Sequence, residues 1–228
     1  MKNTTMDISK IVQYPLAEDQ YHKVEFPKKQ VVIHHTASGP SAKGNIDYWK
    51  TQPDKVATAF VIGKDGVIVQ AFGSKYYAAH LGIPAAFIKT FGFTDYGTRC
   101  DTLHKQSVGI EITSWGGLTK KNGKWVSYAG VVVPDSDVQI YDPPFRGYVA
   151  FEKYSPAQLA SVKELLLYLC NTYAVPKVYH TDMWDVSKKA IGSEPGIWTH
   201  TSYRKPTDKQ DCHPQPELIA LLESLATS

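Results

Sequence analysis

A chain of 228 residues is long enough to form one domain with a substantial apolar core. Its composition, 43% hydrophobic and 21% charged residues, excludes the disordered and fibrous classes of protein. The formal net charge of +3, from 25 Lys and Arg against 22 Asp and Glu, is too small to indicate a nucleic-acid partner.

Residues 1–26 are polar and weakly patterned, which predicts an N-terminal arm before a single domain at 27–228. The β-branched segment Gln30–His35 predicts a strand that ends in two histidines. Asp65-Gly66 lies between two apolar runs and predicts a hairpin, because this dipeptide supplies the positive φ angles of a tight turn. Two further strands are predicted, joined by a turn at 121–124: Val108–Thr113 and Trp125–Val133.

Helix signals stand out near the C-terminus. Ser155, Pro156 and Gln158 form a capping box with proline at the first helical position. The helix predicted after it has one apolar stripe and ends before Pro176: Leu159, Val162, Leu166, Leu169 and Tyr173. Further helices are predicted from Pro214 or Pro216 onward and, shorter, near 42–51. Strands mixed with helices, without a repeated βαβ rhythm, predict an α/β fold whose central sheet is mixed, partly antiparallel and flanked by helices.

The cysteine pattern and the apolar runs bear on where the protein is made. Three cysteines at long spacings form neither a disulfide framework nor a zinc-finger pattern, which favours synthesis in a reducing compartment. Met1–Leu16 has no apolar run of signal-peptide length, and the longest apolar stretch, Leu165–Cys170, is far below the roughly 20 residues of a membrane span. We therefore expect synthesis in the cytoplasm without a signal peptide and no membrane insertion.

Three places carry residues suited to chemistry. Side chains alternate along a strand, so only one of His34 and His35 can face a given site. Glu111 lies between two isoleucines in a predicted strand and points to the opposite face, where a carboxylate is either solvated or part of a site. The third place is a loop-like stretch rich in metal-capable residues: His200, Lys209, Asp211, Cys212 and His213.

Seven motifs, taken in order and spacing, resemble one known family. They are Val31–Ala37, Val61–Gly66, Ala79–Gly82, Ser107–Glu111, Tyr154–Gln158, Thr199–Arg204 and Lys209–Asp211. This set resembles the zinc-dependent N-acetylmuramoyl-L-alanine amidases of type 2, a group that includes a phage lysozyme and the peptidoglycan recognition proteins. The resemblance implies their single-domain α/β fold, a Zn²⁺ cofactor and peptidoglycan as the partner.

The resemblance also assigns metal ligands. It implies that His34 and His200 bind zinc, and that Asp211 is the third ligand, because the family's third ligand follows a lysine by two residues. The family usually has proline directly after that ligand, whereas here Pro214 comes three residues later. Cys212 and His213 therefore remain alternatives, although an extended segment would place Cys212 on the opposite side from Asp211.

The same resemblance implies catalytic roles. Glu111 would move the proton between water and the leaving amine, and Lys209 would stabilise the oxyanion. His80, in the Ala79–Gly82 motif, would contact substrate. Some relatives carry a catalytic tyrosine where this chain has Thr58, which favours the branch of the family that relies on the strand glutamate.

The resemblance leads to a functional hypothesis. It predicts a monomeric peptidoglycan hydrolase that cuts the amide between N-acetylmuramic acid and L-alanine. The expected role is a phage endolysin that reaches the cell wall after release from the host cytoplasm. Two alternatives stay open at this point, a non-catalytic peptidoglycan-binding module and a cytosolic amidase that recycles muropeptides.

Overall fold

The computed structural model describes residues 6–226, within which the chain forms eleven strands and six α-helices. The strands are β1 (Val12–Gln13), β2 (Gln30–His35), β3 (Phe60–Ile62), β4 (Ile68–Gln70), β5 (Ser107–Ile112), β6 (Gly117–Lys121), β7 (Lys124–Val126), β8 (Val132–Val133), β9 (Val138–Phe145), β10 (Tyr148–Glu152) and β11 (Gly196–Thr199). The helices are α1 (Ala42–Lys50), α2 (Ala85–Lys89), α3 (Arg99–Gln106), α4 (Pro156–Tyr173), α5 (Lys188–Ile191) and α6 (Pro216–Ala226).

The main sheet has six strands in the order β1-β4-β3-β5-β2-β11. Its pairs are parallel except for the antiparallel hairpin of β3 and β4, which confirms the predicted mixed sheet. All six residues of β2 are buried, because the strand lies between β5 and β11 and carries helices on its face. The strand that bears the two histidines is therefore held rigidly on both sides.

Helix α4 confirms the capping box read from the sequence. The Ser155 Oγ accepts a hydrogen bond from the backbone N–H of Gln158 at 3.1 Å, and the backbone N–H of Ser155 donates to Oε1 of Gln158 at 2.9 Å. The apolar stripe of α4 packs on β2, β3 and α6, and Leu166 in its middle is fully buried. Helix α6, which begins at Pro216 as expected, closes the same core.

Truncating the centre of that stripe tests the packing. We expect Leu166→Ala to lower the free energy of unfolding by about 2–5 kcal/mol, because it removes buried methyl groups and leaves a cavity. Chemical denaturation measures the change. Glu164→Ala, on the exposed side of the same helix, is the control and should change stability by no more than about 0.5 kcal/mol. Equal stability of the two variants would contradict the packing of α4.

A second sheet, which the sequence reading missed, has five antiparallel strands in the order β8-β7-β6-β10-β9. Only the turn at 121–124 and part of the run at 125–133 were expected. The sheet has a small core of its own: Leu118, Val133, Val138 and Ala150. It is joined to the main sheet through the segment that follows β5.

The N-terminal segment differs from the expected arm within the described residues. Strand β1 pairs in parallel with β4 at the edge of the main sheet, and Ile11, Leu16 and Tyr21 are buried in the main core. Residues 1–5 of the expected arm, like 227–228 at the other end of the expected domain, lie outside the described residues. Between residues 6 and 226, no helix combines the length and apolar character that crossing a membrane demands.

Candidate metal and catalytic site

Strands β2 and β11 bring two histidines together at their carboxyl ends. Ile33 pairs with Thr199, and His34 and His200 each follow by one residue. Asp211 reaches the same point from the loop after β11. The two Nδ1 atoms of the histidines lie 3.0 Å apart, and Oδ2 of Asp211 lies 2.8 Å from Nδ1 of His200 and 3.3 Å from Nδ1 of His34. All three side chains are buried.

Hydrogen bonds and burial decide which atoms of these side chains are turned toward one another. The carbonyl oxygen of Leu81, which can only accept, lies 2.9 Å from Nε2 of His200, so that nitrogen carries a proton and Nδ1 is the ring atom turned toward Asp211. Burial lowers the pKa of His34 to about 4, so its ring is neutral at pH 7. Burial acts to raise the pKa of Asp211, but the charge and hydrogen bonds of His200 and His34 outweigh it and hold that pKa well below 3.8.

Metal binding needs an unprotonated nitrogen from each imidazole and an ionised carboxylate, and a bound cation takes the place of any proton between them. Three such atoms this close repel one another unless a proton or a metal cation lies between them. Ligands on a tetrahedral zinc, at 2.0–2.1 Å from the metal, are about 3.3 Å apart, which is close to the spacing seen here. The three residues therefore fit a divalent metal ion of the zinc type, and within residues 6–226 they are the single group of three such side chains with this spacing.

The other two candidates for the third ligand point elsewhere. The ring of His213 is held at both ends: the hydroxyl of Tyr141 lies 2.7 Å from Nδ1, and Nε2 lies 3.1 Å from the carbonyl oxygen of Glu152. Cys212 is fully buried beside Tyr154. Of the three sequence candidates, the structure brings only Asp211 to the two histidines.

Glu111 lies beside His34 on the neighbouring strand. The two residues are register partners in the parallel pair of β5 and β2, so their side chains leave the same face of the sheet. Its Oε2 is buried and has no hydrogen-bond partner among the described residues. Burial, reinforced by the charge of Asp211, raises the pKa of this carboxyl well above 4.5. A raised pKa makes the carboxylate a stronger base, which favours acceptance of a proton from water.

The metal-facing residues and Glu111 line one cavity of about 290 Å³. It is lined by His34, Glu111, His200, Lys209 and Asp211 among others. A second cavity of about 600 Å³ shares four lining residues with it and continues the groove toward α1 and the turn after β7: Thr36, Ala37, Trp49 and Glu111. A third groove, of about 740 Å³, lies against α4 and α6 and contains none of the metal-facing residues.

The comparisons with known proteins agree with this geometry. The profile of the N-acetylmuramoyl-L-alanine amidase family matches residues 25–215. This chain belongs to that amidase family. No curated protein sequence matches this amidase-family chain.

Solved structures similar to this amidase-family chain share its fold. PlyL is 12% identical, with a TM-score of 0.54 over 94% of this chain and 96% of that one. The catalytic domain of XlyA is 13% identical, with a TM-score of 0.51 over 95% and 98% of the two chains. A mutant endolysin from Bacillus subtilis is 14% identical, with a TM-score of 0.51 over 95% and 96%. At these identities the likeness shows the fold alone.

In this member of the family, His80 contacts the ring nitrogen of His34 that is turned away from His200 and Asp211. Nε2 of His34 is 2.9 Å from Nδ1 of His80, and Nε2 of His80 is 2.8 Å from Oγ of Ser107. Both ring nitrogens of His80 are therefore engaged within the protein. The substrate contact expected from the sequence would have to replace one of these hydrogen bonds, although the ring does line the cavity.

Arg146, which the sequence reading missed, holds the amidase loop that carries the metal-facing residues. It comes from the turn between β9 and β10 and is almost fully buried. Its Nη1 donates to the carbonyl oxygens of Arg204 and Lys209 at 2.9 and 2.8 Å, and its Nη2 donates to that of Thr201 at 2.7 Å. All three carbonyls lie between His200 and Asp211. No local pattern marks this arginine, because its three partners in this loop are backbone atoms more than 50 residues away.

Proposed function

We propose that this chain is a zinc-dependent peptidoglycan hydrolase that cleaves the amide between N-acetylmuramic acid and L-alanine. One observation carries the proposal. The potential ligand atoms of His34, His200 and Asp211 lie within 4.8 Å of one another, in the cavity that Glu111 also lines, in a chain of the amidase family. Three ligands of this type leave a fourth tetrahedral position open, which is the arrangement of catalytic rather than structural zinc sites.

The chain's own residues divide the remaining work. Zinc would supply a Lewis acid that activates water and polarises the scissile carbonyl. Glu111, held on β5 with a raised pKa, accepts the proton of the attacking water and returns it to the leaving amine. Lys209 lines the same cavity and is exposed, so its ammonium can approach the oxyanion that develops on the carbonyl.

The shape of the groove suits a polymeric substrate. The cavity at the metal-facing residues opens past Glu111 into the larger cavity along α1, so a glycan strand and its stem peptide can extend away from the cleavage point. Exposed Tyr48 and Tyr128 line that extension and offer aromatic faces to a sugar or a peptide. The substrate class is peptidoglycan, and the hydrolase acts as a monomer.

The biological role that we propose is an endolysin. One of the structural neighbours is described as an endolysin, which motivates this choice. In that role the protein acts on the cell wall after release from the cytoplasm. The competing role is an amidase that recycles small muropeptides in the cytoplasm.

Zinc content and clearance of purified sacculi, each measured with and without a chelator, test the proposal. We expect one zinc per chain, loss of clearance when zinc is removed, and recovery when it is added back. Zinc and sacculus binding without clearance would indicate a recognition module, and absence of metal would contradict the metal site. Faster cleavage of soluble anhydro-muropeptides than of sacculi would overturn the endolysin role and favour recycling.

A further inference from the structure

A chain of hydrogen bonds runs from His34 to a backbone carbonyl, and its direction is fixed at the far end. The carbonyl oxygen of Leu103 can only accept, and Oγ of Ser107 lies 2.6 Å from it, so the hydroxyl proton of Ser107 is used there. Ser107 can then only accept from His80. Nε2 of His80, 2.8 Å away, must therefore carry the ring proton.

The same logic continues to the metal-facing atom. A neutral His80 protonated at Nε2 has a free electron pair at Nδ1, which accepts from Nε2–H of His34 across 2.9 Å. A neutral His34 protonated at Nε2 has its own free pair at Nδ1. That atom is the one that faces His200 and Asp211. The carbonyl of Leu103 thus sets the tautomer of His34 through two intervening side chains.

The residue after His80 does the same for the second histidine. The carbonyl oxygen of Leu81 accepts from Nε2–H of His200 at 2.9 Å. The backbone N–H of Leu81 donates to Nε2 of His104 at 3.2 Å, and Nη1 of Arg204 donates to the carbonyl oxygen of Gly82 at 2.6 Å. The segment 79–82 is therefore fixed on several sides while it touches both metal-facing rings.

We propose that His80 is a positioning residue which, together with the carbonyl of Leu81, holds His34 and His200 as Nε2–H tautomers with both Nδ1 atoms turned toward the metal. The inference rests on the proposed metal site and assigns a function to the segment 79–82. Partners of this kind fix the ring orientation of a metal-binding histidine, and their loss typically lowers metal affinity about 10- to 100-fold.

The absence of a side chain at Gly109 leaves room for the ring of His80. A Cβ at Gly109 would lie 3.1 Å from Nδ1 of His80 and 2.7 Å from Cγ2 of Thr58. The second distance is shorter than real Cβ contacts allow. A glycine in the middle of β5 therefore lets His80 lie over that strand, on the face from which His34 and Glu111 project.

Zinc affinity of apoprotein variants, measured by competition with a chromophoric chelator, tests the inference. His80→Leu keeps the bulk but removes the acceptor, and we expect its zinc affinity to fall about 10- to 100-fold. His80→Asn places an amide oxygen near the position of Nδ1 and should recover most of that loss. His22→Leu, a histidine that contacts none of the metal-facing residues, is the matched control and should bind zinc as wild type does.

The ¹⁵N resonances of the histidine rings in the metal-free protein provide a second readout. In the wild type we expect both His34 and His200 to be protonated at Nε2. In His80→Leu we expect His34 to become a mixture of tautomers, while His200, still bonded to Leu81, stays unchanged. A merely structural role for His80 would lower stability without changing one ring selectively.

Each outcome decides a different point. Unchanged zinc affinity in a folded His80→Leu variant, or a wild-type His34 protonated at Nδ1, overturns the inference. A wild type that binds no zinc contradicts the proposed function instead, and the tautomers of the metal-free protein then decide the role of His80 by themselves.

Discussion

Glu111→Gln should retain one zinc per chain and lose nearly all hydrolytic activity. The amide has the shape of the carboxyl but cannot accept and return a proton, and removal of a general base typically lowers kcat about 10²- to 10⁴-fold. Its Oε2 has no hydrogen-bond partner among the described residues, so this oxygen is free to receive the proton. Release of soluble products from sacculi measures the rate, and elemental analysis measures the metal.

The control for this variant is Glu164→Gln, whose carboxyl is exposed on α4, far from the cavity, and should leave the rate unchanged. Activity within about tenfold of wild type in Glu111→Gln would show that Glu111 is not the base. Loss of zinc in Glu111→Gln would mean that the carboxyl holds the metal instead of moving a proton.

Asp211→Ala should lose zinc altogether at working concentrations. The carboxylate supplies the only negative charge among the three metal-facing side chains, and removal of even an outer hydrogen-bond partner lowers metal affinity about 10- to 100-fold. We therefore expect a decrease greater than about 100-fold, together with loss of clearance. The chelator competition used for His80 measures the affinity.

Two substitutions of its neighbours make this experiment decisive. Cys212→Ser and His213→Gln alter the other two residues that the sequence allowed as third ligand, and both should keep zinc because neither side chain reaches the two histidines. Circular dichroism confirms that each variant is folded before the metal is measured. Zinc retained by Asp211→Ala but lost from His213→Gln would reassign the ligand.

Patterns that act locally were readable from the sequence. The capping box and apolar stripe of α4, the Asp65-Gly66 hairpin and the β-branched β2 each follow from a few neighbouring residues, and the structure confirms all four. The second sheet escaped because its strands are short or carry weak signals. Strand β8 has two residues, and β9 contains Pro143 and Pro144, which usually argue against a strand.

The residues of the candidate site were predictable from the sequence, whereas the contacts that support them were not. His34, Glu111, His200 and Asp211 could be named because they lie in motifs, and the structure brings them to one cavity. The contacts that support them could not be named, since they join side chains to backbone carbonyls of remote segments. The bond from His200 to the carbonyl of Leu81 spans 119 residues and depends on the fold rather than on the identity of residue 81.

The position of Arg146 limits how freely this protein can be rebuilt. Its guanidinium ties the turn between β9 and β10 to three carbonyls of the segment that delivers Asp211. The second sheet is thus not a detachable module. A chimera that took residues 200–211 from one relative and the β9–β10 hairpin from another would combine two contacting segments that did not evolve together. Recombination within this fold therefore has to exchange both segments together.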